Sequence, residues 1–114
     1  MANLGISKSA ITSKSASSAA LNLVQATVDF GSDSGPITRV FDAAVVVSAT
    51  WVTANSIILP TMAGKATATH GVDDALIEGL IPIVDNLNPG VGFTIRVYSP
   101  LGSWGQYVVN AVGA

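Results

Sequence analysis

The chain predicts an all-β domain, a β-sandwich or small barrel of about seven short strands, carried behind an extended amino-terminal arm. Three observations point there. Apolar and polar residues alternate with a period of two over 23–30, 45–53 and 93–98, which sets successive side chains on opposite faces of a pleated strand. Clusters of Gly, Pro, Asn, Asp and Ser punctuate the chain at roughly 8 to 12-residue spacing. Beyond the first twenty residues, no long stripe with the 3.6-residue period of a helix competes with that pattern.

The arm comes first. Residues 1–20 are dominated by Ser, Ala and Thr, with isolated Ile6 and Ile11 and only Lys8 and Lys14 charged. Such a segment buries too little on its own to offset the entropy of ordering. Its alanines favour helix, but Ser7, Ser9, Ser13, Ser15, Ser17 and Ser18 compete for backbone hydrogen bonds. The composition shift divides the chain into an anchoring arm, 1–20, and a β-sandwich domain, 21–114.

Within the domain, 23–30 is the first strand, with Val24, Ala26, Val28 and Phe30 on its buried face. Gly31-Ser32-Asp33-Ser34-Gly35-Pro36 forms a turn, and a short strand follows at 37–41. In the strand over 45–53, Val45, Val47, Ala49 and Trp51 share one side. The strand at 57–62 contains Pro60, and the strand at 80–87 contains Pro82; a proline cannot donate to a ladder, so both belong at sheet edges or bulges. Between them, 63–79 is a polar interlude compatible with one helical turn or an extended arm. Asn88-Pro89-Gly90 is a turn, 92–99 is a strand that sets Phe93, Ile95 and Val97 against Thr94, Arg96 and Tyr98, and 100–103 reads as a hairpin loop before the last strand, 104–112. The expected core is Phe30, Val47, Trp51, Phe93, Ile95 and Val97.

Composition bounds the function. With 114 residues a single domain is expected. The chain is 49% hydrophobic and 11% charged, against roughly 25% charged in an average globular domain, so part of its surface should be hidden by self-association. A net charge of -2 from five basic and seven acidic residues gives no basic footprint for nucleic acid. No apolar run reaches the ~18 to 20 residues of a membrane span, and the serine-broken start does not resemble a secretory signal. The expectation is a soluble protein made in a cytoplasm. Having no cysteine, the chain has no disulfide, thiolate ligand or thiol nucleophile.

The candidate constellations are few. His70, Asp73, Asp74 and Glu78 form the densest group of ionisable residues, and oxygen-rich spacing of this kind suits a hard cation. It matches neither an EF-hand loop nor a zinc helix, and the competing reading is an acidic connection in which Asp73 or Asp74 caps a short turn. No metal, cofactor or catalytic residue is assigned. A Ser-His-Asp set would have to use His70, the single histidine, without a G-x-S-x-G elbow; Ser32 and Ser34 read as a flexible hairpin. Gly90-Val91-Gly92 lacks the lysine and helix of a phosphate loop. Trp51, Trp104, Tyr98 and Tyr107 could offer a sugar-stacking platform, although aromatic residues in strands more often anchor cores or interfaces. Trp104, beside Gly102-Ser103, is the best placed for exposure, whereas Trp51 reads as core.

The order of elements Trp51-Val52-Thr53, Ser56-Ile57-Ile58, His70-Gly71-Val72-Asp73-Asp74-Ala75-Leu76-Ile77-Glu78-Gly79, Asn88-Pro89-Gly90-Val91-Gly92-Phe93 and Gly102-Ser103-Trp104-Gly105-Gln106-Tyr107 resembles a small β domain of tailed-bacteriophage virion proteins, among them head-decoration and fibre-like components. The resemblance covers about the last two-thirds of the chain and does not reach the arm. It implies a non-enzymatic structural protein of the virion, made in the host cytoplasm: a capsid decoration or cement protein or a short fibre, homotrimeric and partnered by capsid or neck and tail proteins. Nucleic acid, membrane and cofactors are not among the expected partners. The alternative is a module of a phage fibre or appendage that binds host-surface glycans through loops around Ser103 and Trp104 and around 31–35.

Overall fold

The computed structural model describes residues 20–31 and 39–114. The anchoring arm, the 31–36 turn beyond Gly31 and the start of the strand expected at 37–41 lie outside the described residues. Within them the chain forms β1 (Asn22–Asp29), β2 (Val40–Ser48), β3 (Ile58–Met62), α1 (Asp74–Glu78), β4 (Ile81–Asn88), β5 (Gly92–Ser103) and β6 (Gln106–Gly113).

The strands make two antiparallel three-stranded sheets, ordered β1-β6-β3 and β2-β5-β4. The all-β expectation holds in its sandwich form. No ladder among the described residues joins one sheet to the other, so the barrel alternative is set aside.

Three details depart from the sequence reading. The strands expected at 37–41 and 45–53 merge into β2, which continues from Val40 through Phe41, Asp42, Ala43 and Ala44, where no glycine or proline stops it, but ends at Ser48; residues 49–53 leave the sheet, with a turn at Thr50 and Trp51. The described residues therefore hold six strands rather than seven. The 100–103 stretch is strand, not hairpin loop. β5 continues through it, and a register shift against Val40 and Asp42 accommodates the extra β5 residues. Nor are β5 and β6 ladder partners: after Ser103 the chain turns a corner from one sheet into the other. The interlude at 63–79 takes its helical option as the short α1, closed by Gly79 in the left-handed conformation at φ 68°.

The core fills the space between the sheets. Val28 and Phe30 from the β1 side, Phe93, Ile95 and Val97 of β5, and Tyr107, Val109 and Ala111 of β6 are buried, closed off by Ala49, Val52 and Leu80. Phe30, Phe93, Ile95 and Val97 thus sit where the alternation placed them. Val47 and Trp51 are half-buried and pack against this cluster from its margin. The Trp51 ring lies 6.0 Å from Phe93, and Phe30 meets Tyr107 edge-on at 5.8 Å. Gly92 permits the closest backbone approach, since any Cβ there would run into the Val47 carbonyl oxygen. Pro60 and Pro82 lie on β3 and β4, both edge strands, as a missing amide donor requires.

The outer faces differ in character. On the β2-β5-β4 sheet, Arg96 Nε donates to Asp85 Oδ2 at 3.1 Å and Nη1 to Asp42 Oδ2 at 3.3 Å, joining all three strands. Those two carboxylates, Asp85 foremost, raise the guanidinium pKa further above its ordinary value. The outer face of the β1-β6-β3 sheet is uncharged at one end, where Leu23, Val112 and Leu59 lie in one cross-strand row. The next row is amide and hydroxyl: Gln25, Asn110 and Thr61, with Gln25 Nε2 donating to Asn110 Oδ1 at 2.7 Å.

Candidate functional site: the His70 corner

The polar segment between β3 and α1 folds onto the corner where β5 passes into β6. Threonine side chains make the first contacts. The Gln106 N–H donates to Thr69 Oγ1 at 2.9 Å, and Thr67 Oγ1 donates to the Gln106 carbonyl at 2.8 Å. Thr67 Oγ1 also receives the His70 N–H at 3.1 Å, setting the angle at which the histidine leaves the backbone.

His70 is the centre of the cluster. Its side chain is 8% exposed; Nδ1 lies 3.0 Å from Asp74 Oδ2, and Nε2 lies 2.6 Å from the Trp104 carbonyl oxygen. The ring stacks on Tyr107 at 4.1 Å with a 19° tilt and touches Trp104 at 5.0 Å. A carbonyl oxygen only accepts, so the short Nε2 contact places a ring hydrogen on Nε2. Asp74 is held ionised by its own contacts: the Gly71 N–H at 2.9 Å, and then His70, lower its carboxyl pKa.

Beneath the ring, Tyr107 is buried, and its hydroxyl shares a hydrogen bond of 3.1 Å with Ser103 Oγ. Burial pushes its phenol pKa up, the Ser103 bond opposing. Gly105 makes the corner possible. It has φ +79°, and a Cβ there would stand 2.6 Å from Thr69 Oγ1 and 3.0 Å from His70 Nε2. The Phe30 N–H donates to the Gly105 carbonyl at 2.8 Å and the Gly105 N–H to the Gly31 carbonyl at 2.7 Å, tying the corner to the end of β1.

Of the four ionisable residues singled out by spacing, the structure brings His70 and Asp74 together and leaves Asp73 and Glu78 apart from them. Glu78 instead lies 4.0 Å from Arg39. Among the described residues no three His, Cys, Asp or Glu side chains gather as metal ligands would. Asp73 stands at the amino end of α1 without a side-chain capping bond, so the capping expectation is met only in position. The His70–Asp74 pair has the outline of two members of a catalytic triad, but the Trp104 carbonyl occupies the place of a nucleophile. Ser32 and Ser34 lie outside the described residues.

The aromatic residues do not assemble into one platform. Tyr107 faces the core, Trp51 borders it beside Phe93, Tyr98 stands exposed on the outer face of β5, and Trp104 is half-buried against His70. Gly90 turns β4 into β5, where the Val91 N–H donates to the Asn88 carbonyl at 2.9 Å, and its own N–H donates to the Val52 carbonyl at 2.8 Å, tying the turn to the segment after β2 rather than forming a phosphate cradle. No family model, curated protein or solved structure matches the chain. Sequence reasoning missed the partnership of His70 with the Trp104 carbonyl. The only local signal was Thr67, Thr69 and Gly105, small residues that let two backbones close on the ring.

Proposed function

We propose that the chain is a non-enzymatic structural component of a tailed-phage virion, a capsid decoration or cement protein or a short fibre, homo-oligomeric and anchored by residues 1–20. The observation that carries the reading is where its apolar groups lie. Leu23, Leu59 and Val46 stand at 82%, 61% and 77% exposure on the outer sheet faces, while His70 and Asp74, the two of the four clustered ionisable residues that come together, spend their polar atoms on bonds inside the molecule. A surface of that kind fits a protein whose work is packing against copies of itself and a larger shell.

The motifs behind the phage resemblance lend support through their positions. The Asp73–Gly79 element becomes α1 and its glycine cap, Pro89 to Phe93 becomes the β4–β5 turn and the first two residues of β5, and Gly102 to Tyr107 becomes the corner seated on His70. All three are scaffolding positions. The arm, rich in Ala and Ser, lets backbones approach closely in a groove between subunits, where Lys8 and Lys14 meet acidic groups. The homotrimer is the stoichiometry the resemblance implies. Deleting residues 1–20 should leave a folded β domain that no longer incorporates into particles assembled in its presence. Full occupancy by the truncated protein would overturn the assignment of the anchor, and saturable binding of the intact chain to a glycan array would favour the appendage module instead.

A further inference from the structure

The charged side chains of the described residues nearly all find partners within the molecule. Arg39 lies beside Glu78, and Arg96 holds Asp42 and Asp85. Asp74 takes His70, and Asp29 accepts the Gly31 N–H. Two are left over. Among the described residues, Lys65 is the one lysine or arginine without a carboxylate partner, and Asp73 is the one acidic side chain with neither an ion pair nor a hydrogen bond. Both are exposed, and each stands beside one of the two most exposed large aliphatic residues, Leu23 and Leu76.

Lys65 marks the polar end of a groove. Its Nζ reaches over the outer face of the β1-β6-β3 sheet to Gln25 Oε1 at 3.1 Å, the single bond this ammonium gives among the described residues although it has three hydrogens to donate. From Gln25 a shallow groove of about 450 Å³ runs past Asn110 and Thr61 to the Leu23–Val112–Leu59 row, where Leu23 is 82% exposed. Gln25 and Leu23 are two residues apart on β1, hence ~6.8 Å at ~3.4 Å per residue.

Asp73 marks the polar end of a knob. Leu76 and Ile77 follow it at i+3 and i+4, which sets the three side chains on one face of α1. They are 84% and 70% exposed, and α1 buries none of its residues. Asp73 and Ile77 are ~6 Å apart along the axis at ~1.5 Å per helical residue. Groove and knob therefore carry one charge and one aliphatic group each at matching spacing, and the charges are opposite.

We infer that the groove seats the α1 face of a second copy of this chain, with Leu76 and Ile77 on the Leu23–Val112–Leu59 row and Asp73 against Lys65. Charge complementarity selects this occupant. Residues 1–20 carry only Lys8 and Lys14 as charged side chains and would bring like charge to Lys65. Nor does a molecule fill its own groove: α1 lies by Met62 and Leu80, on the inward side of β3, whereas Leu59 and Thr61 face outward. Aliphatic burial supplies the attraction and the ion pair fixes the orientation. Groove and knob are different surfaces, so the contact is heterologous, and repeated from copy to copy it closes a ring or extends a filament. It does not depend on the virion reading.

Light scattering after gel filtration of the full chain tests this. The wild-type mass should be two or more times 11.5 kDa. Lys65→Glu and Asp73→Lys should each weaken association at least tenfold, and the double variant, with the pair reversed, should recover most of that loss. Asp73 adjoins Asp74, so a second site guards against a disturbed fold: Leu76→Ser, at a side chain already in solvent, should give a monomer with an unchanged far-ultraviolet spectrum. A wild-type monomer, a folded double variant that associates no better than its parents, or a full-sized assembly of folded Leu76→Ser would each overturn the assignment. An assembly that survives Leu76→Ser and is lost on deleting residues 1–20 would give the groove to the arm, and overturns it likewise.

Discussion

Replacing His70 by Ala should destabilise the fold by about 2 to 4 kcal/mol, and the figure follows from what the ring touches. The bond from Nε2 to the Trp104 carbonyl, 2.6 Å long, contributes ~1 to 1.5 kcal/mol net, and leaving that carbonyl without a donor in a half-buried corner adds ~1 kcal/mol. Loss of the stacked contact with Tyr107 at 4.1 Å removes a further ~0.5 to 1.5 kcal/mol. The bond to Asp74 is left out of the sum, because that carboxylate is open to solvent and screened. Urea unfolding followed by tryptophan fluorescence is the assay, Trp104 lying against the ring. With a slope of ~1 to 1.5 kcal/mol per molar urea for a domain of this size, the midpoint should fall by roughly 2 M with the slope unchanged. His70→Phe, which keeps a flat ring and loses both bonds, should recover only ~1 kcal/mol. A midpoint within ~0.3 M of wild type for the alanine variant, equivalent to under ~0.5 kcal/mol, would show that the corner holds without its histidine.

Gly105→Ala should cost more than the ~1 kcal/mol typical of a left-handed site, because its methyl would also meet Thr69 and His70; calorimetry should show a Tm several degrees lower. Asp74 has its folded pKa below the ordinary 3.8, so its stabilising effect is complete above that value and disappears as pH falls through the depressed one. Asp74→Asn should therefore flatten the acid limb of a stability–pH curve below about pH 4 and leave the limb above pH 5 parallel to wild type. Tyr107 acts at the other extreme: with its folded pKa raised, stability should decline as pH rises above about 10, and Tyr107→Phe should remove that decline. Ile95→Ala, at a fully buried site, should cost ~2 to 5 kcal/mol in urea unfolding, and Trp51→Ala, half-buried at the margin, should fall near the bottom of the ~3 to 5 kcal/mol range for buried Trp.

What was legible in the sequence was whatever a period of two encodes. Val24, Ala26, Val28 and Phe30, and again Phe93, Ile95 and Val97, announce their buried face, because a strand covered on one side repeats its demand every second residue. Pro60 and Pro82 announced edge strands for the equally local reason that they lack a donor. The continuity of β2 through Phe41 and Ala44 was not legible, since its partner β5 lies some fifty residues ahead and only that ladder holds Asp42 and Ala43 extended. The 100–103 stretch misled in the opposite direction: Pro100 and Gly102 spell a loop, yet Arg39 Nη1 donates to the Gly102 carbonyl at 2.7 Å and keeps it against the sheet. Of the candidate site, spacing could pair His70 with Asp74 four residues on, but the Trp104 carbonyl is thirty-four residues away and has no residue-type signature.

The order of strands also dictates when the molecule can exist. β6 follows the other five described strands along the chain, and it is the central strand of its sheet, lying between β1 and β3. Until Gly113 has left the ribosome, both neighbours lack the one ladder partner they have among the described residues. The other sheet is under no such delay after β5, because β2, β4 and β5 are then all present. During translation the chain should therefore carry one finished sheet with its apolar inner face uncovered, and close over it in a late, single step. Chains stalled before residue 105, and so lacking β6, should accordingly bind chaperones and resist compaction, however complete their core composition.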